Sequence, residues 1–214
     1  MVEINFNMIG YEFSRGLRVL REGYSSAILA LEQKSDAIGT ELLEYRRHIA
    51  DGGEPDEERD EDGFLLWDRE RLLEMDAEVC TSAIVEARKA FIIALYHHWE
   101  RAVRKDTGYH GRDHAKLLKE AAARNIDVKP DLDRVRHLVN TLKHNNAERG
   151  LQLFKHWPAV FPESFTSDQH TDWYHSVILT DAHVHQSLDL ISESGPATVR
   201  LPDFGVANQE KSEG

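Results

Sequence analysis

TSAIVEARKAFIIALYHHWERAVRK, residues 81–105, decides how this chain folds. Ile84, Phe91, Ile92, Leu95, Trp99, Ala102 and Val103, with the stem of Arg88, recur at helical spacing. Such a helix has one apolar face and needs partners to cover it. DTGYHGRDH ends it, because two glycines in a polar run do not continue a helix cheaply.

The partners are legible on both sides. Upstream, Phe13, Leu17, Leu20, Tyr24, Ile28, Leu31, Ile38, Leu42 and Tyr45 keep a helical period from Tyr11 to His48, with glycines 16, 23 and 39 as possible breaks. Residues 51–63, DGGEPDEERDEDG, read as an acidic loop. Glu58, Asp60 and Asp62 before Gly63 look like part of a calcium loop, but Arg69 stands where a bidentate Glu is required, so a solvated loop without calcium is expected. FLLWDRERLLEMDAEVC then resumes helix, with Leu65, Leu66, Leu72, Leu73 and Val79 on the buried side. Downstream, HAKLLKEAAARN is a shorter helix. A proline-marked start leads into a helix to about Asn145 with Leu132, Val135, Leu138, Val139 and Leu142 on its apolar face. After Gly150 an irregular segment rich in aromatics and proline packs on the bundle, DWYHSVILT is a short strand or a turn of helix, and DAHVHQSLDLISES is a last helix. The reading is all-α, one domain over residues 1–202, with a disordered tail at 203–214.

Composition limits function. Apolar residues at 41% suffice for a core. A net charge of −12 argues against a general nucleic-acid coat but leaves room for a local basic site. A single cysteine, Cys80, excludes an intrachain disulfide and a multi-cysteine zinc site; it reads as a small core residue. No apolar run reaches the roughly 18 residues needed to span a membrane, and the N-terminus lacks the blocks of a signal peptide, so a cytoplasmic protein is expected. No nucleophile elbow, P-loop or dinucleotide-binding glycine pattern is present. Twelve histidines invite a metal reading. Yet His183 and His185 diverge on a helix, His97 and His98 are adjacent, and His110 and His114 straddle a loop, so neither metal nor cofactor is expected.

The remaining candidate is RHLVNTLKHNN, residues 136–146. At 100° per residue Arg136 and Lys143 lie about 20° apart, with Asn140 between them and His144 slightly to one side. Arg134, His137 and Arg149 add local basicity. Imidazole moves protons and a neighbouring cation holds phosphate. The same groups on a solvated helix face need do nothing.

Over residues 80–150 the chain resembles the HEPN superfamily. The resemblance rests on RKAFIIALYHHWERAVR followed by LDRVRHLVNTLKHNN. Glu100 matches the acidic residue often found on the earlier helix, and VNTLKH resembles the family's RNxxxH segment, with Asn140 and His144 in register. The resemblance implies a helical bundle, often a homodimer, in prokaryotic toxin–antitoxin or phage-defence systems. It implies His144, Arg136, Asn140 and Glu100 as catalytic candidates, and Lys143, Arg134, His137 and Arg149 as RNA-binding ones. In active members RNA is cut without metal: the 2′-hydroxyl attacks, His handles protons and Arg stabilises phosphate charge. Here the aligned Arg position holds Val139, and Arg136 precedes His144 by seven intervening residues where the family has four to six. The expectation is a module that binds RNA or a protein encoded nearby, with weak or no cleavage. The alternatives are a ribonuclease using Arg136, or an unrelated helical adaptor.

Overall fold

The computed structural model describes residues 5–200. Helix α1 (Met8–Ala50) opens on Asn7, whose side chain accepts from the Ile9 N–H at 3.1 Å. The strands β2 (Glu57–Arg59) and β3 (Leu65–Asp68) form a hairpin leading to α2 (Arg69–Thr107). Asp68 caps α2, and Gly108, at φ 75°, ends it in a conformation that suits glycine. Four helices follow: α3 (His114–Ala123), α4 (Leu132–His144), α5 (Ala147–His156) and the single turn α6 (Trp173–Ser176). Helix α7 (Asp181–Glu193) comes last, with Thr180 and His183 in a reciprocal capping box. β1 (Asn5–Phe6) pairs antiparallel with β4 (Val199–Arg200), which brings the two ends of this region together. The fold is an all-α bundle with two small two-stranded additions, one hairpin and one pairing of the two ends. No helix among the described residues is long and apolar enough to cross a membrane.

α1 and α2 run antiparallel. Phe13 stacks on His98, Tyr24 meets Phe91 edge-on, and Arg46 reaches Glu70 and Glu74. The inner halves of both helices enter one core that also takes in α3–α7; it includes Ile92, Leu95, Trp99, Val135, Leu138, Val139, Leu142, Leu153 and Ile191. Leu95 and Leu142 are 1% and 6% exposed, so the two helices that carried the sequence reading do share a core. Burying each such side chain stabilises by about 1.5–3 kcal/mol. The glycines of α1 do not divide it. A Cβ at Gly16 would strike the His98 ring, so this glycine makes room for the imidazole and for its 2.9 Å contact with the Phe13 carbonyl.

The outer halves of α1 and α2 form an arm with a thin core of Ile38, Leu73 and Cys80. Here the sequence expectation needs correction. Residues 65–68 are strand, and Leu65, Leu66, Leu72 and Val79 are exposed; only Leu73 of that set is buried. Two helices alone cover one face each, so an apolar residue off that face stays open. The acidic stretch 51–63 is also more ordered than a plain loop. Asp60 accepts from the N–H groups of Asp62 and Phe64, closing the β2–β3 turn, and Glu58 accepts from the Trp67 indole. The tail at 203–214 lies outside the described residues.

Candidate functional site

α4 carries its five expected apolar residues inward, and buries His137 and Thr141 as well. α5 is the cause: it follows α4 closely and covers a second face. Thr141 donates to the His137 carbonyl and to the Arg149 carbonyl of α5. Asn145, at φ 43°, ends α4, and its side chain accepts from the Tyr174 N–H at 2.9 Å. Lys143 and His144 occupy the last turn, where cations complement the helix dipole.

The stripe separates into two polar clusters. At the start of α4, Arg136 Nε donates to Asp133 Oδ1 at 2.6 Å, while its Nη2 lies 3.2 Å from His137 Nε2. The same His137 nitrogen lies 3.1 Å from Asp133 Oδ2, and the His137 ring stacks on His156 of α5 with centroids 4.5 Å apart. At the end of α4, Lys143 Nζ lies 3.5 Å from His97 Nε2. His97 Nδ1 is 3.5 Å from Glu100, and Glu100 accepts from Arg104 at 2.7 Å. His144 is exposed and Asn140 half-buried, and neither makes a side-chain hydrogen bond among the described residues.

Several expected roles change on this geometry. Glu100 engages His97 and Arg104, so it orients neither Asn140 nor His144. His137 is buried and unavailable to RNA. Arg134 lies over the Trp157 ring at 4.9 Å, with its Nε buried and unpartnered, a packing position instead of a phosphate contact. Arg149 is half-buried, its N–H held by Asn146 at the start of α5. Val139 is 1% exposed, so the position aligned with the family's Arg is a core position. His156 and Asp133 carry no motif in the sequence, and His97 and His114, set aside there as metal ligands, enter these clusters through hydrogen-bonding contacts. Only the Asp133–His137 spacing of four on one helix was a readable signal; the other partners meet across helices.

No protein-family model, curated protein or solved structure matches this chain.

The charge states follow from position. Burial opposes ionisation of Asp133, but Arg136 and His137 outweigh it and hold its pKa below the usual value; Arg104 and His97 do the same for Glu100. Burial, reinforced by Arg136, lowers the pKa of His137 and of His114. His114 Nδ1 lies 3.5 Å from the Tyr96 hydroxyl, and its ring lines a cleft of about 310 Å³ between α3 and α4, bordered by Asp133. At neutral pH His137 and His114 are therefore neutral, beside ionised Asp133 and Glu100.

A pH dependence of stability follows. Burial lowers His114, His137 and His183 below the usual 6.5. As pH falls through about 6.5 the unfolded chain takes up these protons first, so stability drops until the folded-state values are passed. The depressed carboxylates contribute their loss only further down, below about pH 4. The urea midpoint is expected to fall between about pH 7.5 and about pH 5.5, with an unchanged m-value. An equal midpoint at both would show that these rings are not held neutral by the fold.

Proposed function

We propose that the protein is a HEPN-like module of a prokaryotic stress or defence system that binds RNA through the exposed end of α4, with little or no cleavage. The observation that carries this reading is the separation of its parts. Lys143 and His144 are exposed. Arg136, ion-paired to Asp133, lies about 12 Å away along the helix axis. A single chain thus presents cationic and hydrogen-bonding groups to a phosphate without pairing His144 with a guanidinium. Loss of a charge-stabilising donor typically costs a few kcal/mol of barrier, enough to silence a slow nuclease. The resemblance further implies a homodimer. Two α4 stripes facing each other would concentrate cations against an acidic average.

The test is fluorescence anisotropy with a labelled single-stranded RNA. Lys143→Glu is expected to weaken binding about tenfold or more, and Lys143→Ala to reduce the salt slope by about one. Unchanged affinity in these variants and in His144→Ala would remove the RNA reading and leave a protein partner or a plain adaptor. RNA cleavage abolished by His144→Ala would establish the nuclease alternative.

A further inference from the structure

His137 sits in an unresolved conflict. Its Nε2 lies 3.1 Å from a carboxylate oxygen of Asp133 and 3.2 Å from the Nη2 of Arg136. If Nε2 carries the proton, it suits Asp133 and opposes Arg136. If it does not, its lone pair suits Arg136 and faces the carboxylate. In either tautomer Nδ1 is buried with no partner, and the side chain is only 7% exposed. Nε2 is therefore the contested atom: a cation and a carboxylate both claim it, and buried polar atoms normally have a partner that fits them.

The surroundings supply one. Asp133 and His137 lie four apart on α4 and share a face. His156, at the end of α5, stacks on His137 with the rings inclined by 17°. One donor atom from each of the three lies within 4.8 Å of the others. Zinc bonds of about 2.0–2.1 Å in a tetrahedron set donors about 3.4 Å apart. The Asp133–His137 pair already stands at 3.1 Å. The adjustment falls on His156, whose residue is exposed and can turn its ring until its lone pair converges.

We propose that Asp133, His137 and His156 bind a divalent transition-metal ion of the zinc class. The ion would accept the His137 Nε2 lone pair and one Asp133 oxygen, removing the conflict at Nε2 while Nδ1 keeps the proton. Arg136 keeps Asp133 Oδ1 through its Nε and turns Nη2 away. Two imidazoles and one carboxylate suit zinc or ferrous iron, not calcium or magnesium, which take oxygen ligands. Three protein ligands leave a coordination position open, the pattern of reactive rather than purely structural metal sites. The site does not depend on the RNA reading, whose residues lie at the other end of α4.

The experiment is titration of the full, metal-stripped chain with Zn²⁺ by calorimetry and with Co²⁺ by visible absorption. Wild type, His156→Ala and His110→Ala are compared; circular dichroism confirms that each is folded. Wild type and His110→Ala are expected to take up one equivalent. His156→Ala should bind at least about tenfold more weakly, since even outer-shell partners carry roughly 10–100-fold in affinity. Zn²⁺ should raise the Tm of wild type and not of His156→Ala. Absence of one-equivalent binding, equal binding in His156→Ala, or loss in His110→Ala instead would overturn the assignment.

Discussion

Val139→Arg, which puts an arginine where the resemblance aligns one, is expected to destabilise the protein severely instead of activating it. Val139 is 1% exposed and belongs to the same core as Leu95, Trp99 and Leu138. An arginine there places a charge in an apolar interior without a partner and overfills a packed layer. The uncompensated charge costs several kcal/mol and the overpacking about 1–3 kcal/mol more, against a total domain stability of about 5–15 kcal/mol. A fall in Tm on the order of 10 °C, or insolubility, is the expected result. Val139→Ile changes volume by a single methylene and should cost at most about 1–3 kcal/mol. Urea unfolding followed by helical circular dichroism distinguishes the two. A Val139→Arg protein that melts like wild type and cuts RNA would place this position on a working face and restore the nuclease reading.

What the sequence revealed and concealed follows from one distinction. Periodicity reports whether a helix has an apolar face. It does not report how many neighbours cover that helix. Leu132, Val135, Leu138, Val139 and Leu142 were legible because they share one stripe. The burial of His137 and Thr141 was not, because it comes from α5. The sequence of that helix loses its apolar period after Gly150, a glycine that leaves room for the Trp173 ring. The arm shows the converse error. Leu72 and Val79 follow an apolar pattern yet remain exposed, because only α1 is present to cover α2 there. The two polar clusters were hidden for the same reason as α5. Lys143 meets His97 of α2, and His137 meets His156 of α5. No spacing along the chain encodes those meetings.

Trp99→Ala is expected to have the other large effect, because Trp99 ties three parts of the bundle together. It is wholly buried, and its indole N–H donates to the Ser194 carbonyl at the end of α7 at 2.8 Å. The Ser194 hydroxyl accepts from the Lys129 N–H at 3.1 Å, just before α4 begins. The ring also lies against Tyr96 and His114, with centroids 5.4 and 6.1 Å away. Removing it leaves a cavity where α2, α3 and α7 converge, at about 3–5 kcal/mol. It also leaves a buried carbonyl unpaired. Trp99→Phe separates these effects, since most of the ring remains and the donor is lost; it should cost about 1–3 kcal/mol. The expected order of urea midpoints is wild type, then Trp99→Phe, then Trp99→Ala. If Trp99→Phe equals Trp99→Ala, the Ser194 bond outweighs ring packing. If Trp99→Ala falls within about 1 kcal/mol of wild type, Trp99 does not organise this core.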